Sequence, residues 1–381
     1  MYIYIHVPFC RSHCIYCDFY VSLAKHGGQA AYVDALLREI DGRMRRFVDA
    51  GGELTPIETV YFGGGTPSLL PAADYQRILA ALTAWGQMVD GAEVTMEANP
   101  GGRHEAMASP PQDYLAVGMN RFSIGVQSLS DTELKRLSRA HTAEDAIAFV
   151  NTVSSAGFEN LSVDLMYGLP GQTTASWQET LSRVRDLPVP HVSMYGLKVE
   201  EGTPLATLGR FPAYTPPPDD TVVAMYDAGV ASLEAAGMRL YEFSNLARPG
   251  FESRHNLNYW RNGAFFGFGP SATGYLQGVR YWVTPDLAAY SADPMAVAEE
   301  TRCSRQEQLE NAFIFGLRLT DGLCLEALAA THGPDALAPF EPVVARHLAQ
   351  GWLHRQGSRI RLSRAAIPLS NAILADYLLD E

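Results

Sequence analysis

The chain has 381 residues, 47% hydrophobic and 19% charged, with a net charge of −13. At roughly 150 residues per domain, this length predicts two or three domains with ample core, or one large barrel plus an appendage. No stretch of about 18 apolar residues is present to span a membrane, the N-terminal MYIYIHVPFC lacks the basic-then-apolar order of a secretory signal, and an acidic chain is a poor general polyanion binder, which argues against nucleic acid.

Tyr2 to Val7 reads as a short strand, and Gln29 to Val48 as a helix with Val33, Leu36, Leu37, Ile40, Met44 and Phe47 on one stripe. Glu58 to Phe62 is a strand that runs into Gly63-Gly64-Gly65. A helix over Ala72–Trp85 and a strand over Ala92–Ala98 follow, then a Gly/Pro/Ser-rich loop from Asn99 to Pro111. A short helical piece, Tyr114–Val117, precedes the strand Arg121–Val126. Helices are expected near Asp131–Leu137 and Ala143–Ala156, a strand at Leu161–Tyr167, a helix at Ser176–Arg185 and a sixth strand at His191–Leu197.

Strands alternating with helices predict a parallel α/β fold. No GxGxxG follows the first strand, so a dinucleotide-binding sheet has no support. Polar or Gly-rich motifs follow most strand ends instead, the habit of a (β/α) barrel. Six units in about 200 residues fit an incomplete barrel. PAYTPPPDD, from Pro212 to Asp220, marks a boundary. Beyond it lie a helix over Thr221–Ala236, an aromatic-rich segment from Tyr241 to Tyr290, and a helical tail with a basic hairpin near Arg355, Arg359, Arg361 and Arg364. The expected domains are 1–215, 216–295 and 296–381. The four arginines read as a solvated hairpin rather than a DNA-binding wing.

Of five cysteines, Cys10, Cys14 and Cys17 cluster, while Cys303 and Cys324 stand alone and read as ordinary semi-buried residues. Clustered thiols in a chain that reads as cytoplasmic suggest a metal site rather than a disulfide framework. Three thiolates can hold three corners of a [4Fe–4S] cube and leave one iron open. A structural zinc would want a fourth donor, for which His6, His13 and Asp18 are available. Both readings follow from the spacing.

Cys10-x3-Cys14-x2-Cys17 resembles the signature of the radical S-adenosylmethionine (SAM) enzymes. GGGTPS at Gly63–Ser68, TMEANP around Glu97, GVQS around Gln127 and DLMYGLPGQ from Asp164 follow in the order of one branch, the oxygen-independent coproporphyrinogen III oxidase-like family. The resemblance runs over nearly the whole chain. It implies a partial (β/α)6 barrel, an additional α+β segment and a small helical, winged-helix-like C-terminal domain. It implies a cluster on Cys10, Cys14 and Cys17, with Tyr4 before it and Tyr16 between the last two cysteines. It places Gly64, Gly65 and Thr66 along the methionine part of SAM, Arg139 on its carboxylate, and Gln127 and Asp164 on its ribose. Glu97 would belong to the same pocket or to a second cofactor or substrate site, and Lys198 ends the sixth strand. In such enzymes an electron from the cluster cleaves the sulfonium to a carbon radical.

Two traits depart from the oxidases. They carry a cysteine where this chain has Phe19, and a long segment before the first strand, which here stands at the start. Both resemble the heme-chaperone (HemW) branch, whose members bind heme and pass it to acceptor proteins. His255-Asn256-Leu257-Asn258-Tyr259-Trp260 resembles that branch's HN-x-x-YW motif. An imidazole can ligate heme iron and aromatic rings can pack on a macrocycle, so His255 and Tyr259 are candidate heme contacts; the alternative is a hydrogen-bonded core histidine. Relatives often carry a histidine where Thr273 stands.

The expected ligands are a [4Fe–4S] cluster, SAM and heme. The expected partners are an electron donor and heme-acceptor proteins, with no membrane span and peripheral membrane contact left open. Radical decarboxylation of coproporphyrinogen, a radical-SAM methylase, and a zinc protein are the alternatives.

Overall fold

The computed structural model describes residues 1–24, 27–101 and 107–379. The expected loop from Asn99 to Pro111 therefore falls partly outside the described residues. The six predicted strands are present as β1 (Tyr2–Val7), β2 (Ile57–Gly64), β3 (Met88–Ala98), β4 (Arg121–Gln127), β5 (Asn160–Tyr167) and β6 (His191–Gly196). They pair in sequence order and all in parallel. Short helices return the chain between most of them, as parallel pairing demands. Two of these helices start with a capping box, at Thr142/Asp145 and Thr173/Ser176.

Each strand shows period-two alternation that sorts its side chains. On β1, Ile3, Ile5 and Val7 are fully buried under the helices. The long helix Gln29–Asp49, here α1, lays Val33, Leu36, Ile40 and Met44 on that layer. The other face of the sheet is polar. Register places Tyr4 beside Tyr61, Glu97 beside Ser123, and Asp164 beside Ser193. A parallel strand buried on both faces normally reads as continuous apolar sequence. Here the inner face is hydrophilic because it lines a site.

The sheet extends past six strands. The order is Phe266–Phe268, β1 to β6, Asn245–Ala247, Arg239–Leu240, so it stays open at both ends. Phe266–Phe268 joins β1 in parallel, and Asn245–Ala247 joins β6 antiparallel. The segment expected as an extension thus contributes both edges of the barrel sheet. A separate antiparallel sheet of Thr273–Leu276, Val279–Val283 and Val297–Arg302 follows.

The tail packs helices Arg305–Gly316, Leu325–His332 and Glu341–Ala349 on a three-stranded sheet that includes the basic hairpin Leu353–Gln356/Arg359–Leu362. Arg364, beyond the hairpin, forms a two-pronged ion pair with Glu234 at 3.0 Å, which ties the tail to helix Asp219–Ala235. Among the described residues, no helix is long and apolar enough to cross a membrane.

Candidate functional site: two adjoining cavities

The C-terminal ends of β1 to β6 surround a cavity of about 340 Å³. Cys10, Cys14 and Cys17 line it from the loop after β1, and none of them is in a disulfide. Burial pushes the Cys10 thiol up to about 11, against a contact from Thr66 Oγ1 at 3.6 Å. Arg139 Nη1 lies 3.5 Å from Cys14 Sγ. Zinc would need four donors converging on one ion. Among the described residues, no three His, Cys, Asp or Glu groups so converge. Three thiols lining one side of a cavity suit the separate corners of a cluster.

The glycine run of β2 forms the next wall. Gly64 has φ +109, and a Cβ there would meet the His6 ring at 2.5 Å; a Cβ on Gly65 would stand 2.6 Å from the Phe9 carbonyl. Only glycine brings the backbone this close to the cysteine loop while keeping the cavity open. Asn99 bridges the wall to the floor: it donates to Thr66 Oγ1 at 2.7 Å and accepts from Arg139 Nη2 at 2.6 Å. Arg139 also donates to the Gly125 carbonyl at 2.7 Å, so its planar fork is held beside the thiols. A register shift between Ile124 and Gln127 ends β4, and Gln127 sits at φ 66, a left-handed conformation rare outside glycine. Strain of this kind gathers at ligand sites. Asp164 accepts from Ser123 Oγ at 3.1 Å, and burial raises its carboxyl above the usual range. These residues match the amino-acid and ribose groups of SAM in chemical type: one guanidinium, two short carbonyl or carboxyl acceptors, and a bare backbone edge.

Glu97 is half-buried. Its Oε1 accepts from the Tyr61 hydroxyl at 2.8 Å and its Oε2 from the Gly64 amide at 3.1 Å. Burial pushes its carboxyl up to about 7, reinforced by Asp164 and opposed by these hydrogen bonds and by Arg121.

A second cavity, of about 640 Å³, adjoins the first. Phe19, Gly64 and Glu97 line both. Its other walls are largely aromatic, with Tyr4, Tyr20, Tyr259, Trp260, Phe265, Tyr275 and Phe315; Arg280 is a cation among them. Ser271, also at positive φ (69°), and Thr273 complete it.

The first cavity therefore brings together Cys10, Cys14, Cys17, Tyr16, Gly64, Gly65, Thr66, Glu97, Gln127, Arg139 and Asp164, while Tyr4 and Tyr259 line the second. Two candidates stand apart. Lys198 projects into solvent and pairs with Glu200 at 2.7 Å. His255 lines neither cavity. It sits in helix Arg254–Trp260, whose first amides donate to the Glu93 carboxylate at 3.0 and 3.1 Å, and this seats the ring against β2. Nδ1 bonds Thr59 Oγ1 at 2.7 Å, Nε2 bonds the Tyr259 hydroxyl at 2.8 Å, and the ring stacks on Tyr61. Burial, with Arg121 nearby, pushes its pKa down to about 3. In this arrangement His255 is a neutral core histidine that backs Tyr259, not an exposed ligand. His255→Ala is expected to lower unfolding stability by roughly 1–3 kcal/mol in urea titrations, since it leaves two buried hydroxyls short of a partner.

Sequence reading missed Asn99, His141 and Tyr61 in the first cavity, and Arg280, Phe265 and Phe315 in the second. Asn99 was findable, two residues past Glu97 in TMEANP. The others had no local signature.

Comparison with known proteins agrees with this geometry. Residues 4–184 match the radical SAM superfamily, and 303–369 match the HemN C-terminal domain. A protein of Lactococcus lactis named heme chaperone HemW is 32% identical, covering 99% of this chain and 97% of that one. The protein of that name from Bacillus subtilis is 32% identical, covering 98% of both chains. The Escherichia coli protein of that name is 38% identical over 71% of this chain and 69% of its own. Coproporphyrinogen III oxidase (HemN) from Escherichia coli has the same fold, with a TM-score of 0.81, 22% identity, and coverage of 99% of this chain and 89% of that one. Near-complete coverage of both chains at this identity places the protein in the HemW family of the radical SAM superfamily.

Proposed function

We propose that this protein is a heme chaperone that holds heme in the second cavity, beside a [4Fe–4S] cluster and SAM in the first, and passes it to an acceptor protein. The observation that carries the reading is the aromatic cavity of about 640 Å³ that shares a wall with the thiol-lined one. Heme is a planar, largely apolar disc with two acidic arms. Aromatic faces suit the disc, and a guanidinium suits a carboxylate. Arg280 answers the difficulty posed by a net charge of −13: the acidic arms need one local cation, not a basic protein.

Cys10, Cys14 and Cys17 would hold the cluster, which supplies an electron and an open iron when bound. Arg139 would face the SAM carboxylate, Gly64, Gly65 and Thr66 its methionine chain, and Gln127 and Asp164 its ribose. Tyr16 belongs to the cluster loop, between Cys14 and Cys17, and lines the first cavity with them. Tyr259 would present its ring to heme with His255 fixing its hydroxyl. Lys198 has no role in this reading. An electron donor for the cluster and an acceptor for heme are the implied partners.

Hemin titration followed in the Soret region tests the reading. Saturable one-to-one binding is expected. Arg280→Ala should weaken it about tenfold, the scale of one charge-assisted contact. The dimethyl ester, whose arms carry no charge, should bind both proteins alike. Absence of saturable binding, or equal loss for acid and ester, would overturn it. Phe19 stands where the oxidases have a cysteine, and the fold likeness to an oxidase does not itself select an activity. Anaerobic incubation with coproporphyrinogen, reductant and SAM should yield no decarboxylated product.

A further inference from the structure

The wall common to the two cavities contains one ionisable group, Glu97, set between Phe19 and Gly64. Both of its hydrogen-bond donors line the first cavity: the Gly64 amide, whose residue also lines the second, and the Tyr61 hydroxyl, on a ring stacked on Tyr4 of the second cavity's wall. The ionisable groups that act on Glu97 include Tyr61 from β2, Arg121 from β4, Asp164 from β5, and Tyr4 and Tyr259 of the second cavity, which His6 and Asp18 also line. No ion pair to Glu97 is present among the described residues, and Arg121 acts on it only from a distance. When ionised, Glu97 places a negative charge on the wall common to both cavities. It repels an acidic ligand on one side and attracts a cationic one on the other.

We infer that Glu97 links the two cavities, so that a cationic ligand in the first strengthens binding of an acidic planar ligand in the second by offsetting the carboxylate on their shared wall. The inference rests on the assignment of SAM and heme to these cavities. SAM carries a sulfonium, an ammonium and a carboxylate, a net positive charge; S-adenosylhomocysteine has the same groups with a neutral thioether. The linkage is reciprocal: heme must tighten SAM by the same factor. It needs no movement of the backbone, because the coupling is through space in an enclosed, poorly screened site. It also gives the cofactor pocket a use in a protein whose cargo is not transformed: loading of heme is graded by the charge state of the pocket beside it.

The test uses the anaerobically reconstituted protein without reductant, so that SAM stays intact. Hemin Kd is measured alone, with saturating SAM, and with saturating S-adenosylhomocysteine. A decrease of about five- to tenfold is expected with SAM, in the range of ordinary coupling, and a smaller one with the thioether. Glu97→Gln keeps an acceptor for Tyr61 and removes the charge. It should bind hemin more tightly than the parent without SAM, and the SAM effect should shrink to under twofold. A parent Kd unchanged by SAM, or an equal effect of SAM and thioether, overturns the linkage while leaving heme binding intact. A full SAM effect in Glu97→Gln overturns the role of Glu97. Absence of saturable hemin binding in every state overturns the assignment of the second cavity, and the linkage with it. The comparison of the two nucleosides needs no variant, so a poorly folded Glu97→Gln does not decide the result.

Discussion

Replacing any one of Cys10, Cys14 or Cys17 with alanine should abolish reconstitution of an iron–sulfur cluster while leaving the fold intact. Anaerobic incubation with iron and sulfide should give the parent about four iron and four sulfide per chain with broad visible absorption, and each variant less than a fifth of that. The loss is expected to be near-complete because two thiolates do not hold a cube with one iron already open. Stability should change little. The thiols are only partly buried, in a loop, and their contacts include long ones, between Thr66 Oγ1 and Cys10 Sγ and from Arg139 Nη1 to Cys14 Sγ. Cys303→Ala and Cys324→Ala are controls that should reconstitute fully. Full cluster content in any of the three variants, or zinc in place of iron in the parent after reconstitution, would refute the assignment. Binding of SAM should fall with the cluster, since the open iron is one of its anchors, whereas hemin binding without SAM should persist, since no cysteine lines the second cavity.

The first cavity was readable because its parts are local. Each strand of a parallel sheet with polar residues at one end delivers them to the same rim, so Glu97, Gln127 and Asp164 could be placed together from strand ends alone. Glycines at Gly64 and Gly65 carry their own signature, because the backbone there excludes a side chain. The second cavity has no such grammar. Its walls come from β1, the cysteine loop, helix Arg254–Trp260, the turn at Ser271, the strand that carries Arg280, and the tail helix of Phe315. Nothing in the spacing of these segments says that they meet. They meet because Phe266–Phe268, three residues long, pairs with β1 and brings the middle segment to the mouth of the barrel. A strand this short has no period to read. His255 shows the converse: a histidine beside aromatic residues reads equally as a ligand or as a hydrogen-bonded core residue, and only the structure places Glu93, Thr59 and Tyr259 on its helix and ring.

The turn that closes the second cavity is itself held by a buried charge pair, and removing that pair should be among the most destabilising single changes in the molecule. Glu39, on α1, is fully buried. Its Oε1 accepts from Arg43 Nε and Nη2 at 3.0 and 2.7 Å. Its Oε2 accepts from the Gly269 amide at 2.7 Å and the Tyr290 hydroxyl at 2.9 Å. Gly269 starts the turn that places Ser271 in the cavity wall, and a Cβ on Gly269 would collide with the His6 carbonyl at 2.4 Å. One carboxylate thus fixes α1, helix Leu287–Ala292 and the turn against β1. Glu39→Leu leaves the Arg43 guanidinium buried without its counter-charge, over the Tyr281 ring at 4.6 Å, and leaves the Gly269 amide without its Glu39 acceptor. Breaking a buried pair from one side costs about 3–5 kcal/mol, a large part of a typical domain's stability. Urea unfolding should show that loss for Glu39→Leu and a much smaller one for Glu39→Leu with Arg43→Met, because replacing both charges by apolar groups removes the desolvation penalty along with the attraction. A loss under about 1 kcal/mol in the single variant would contradict the account. The double variant restores the core but not the acceptor for Gly269. Its hemin affinity should therefore stay below that of the parent even where its stability recovers, which separates the pair's part in the fold from its part in shaping the cavity.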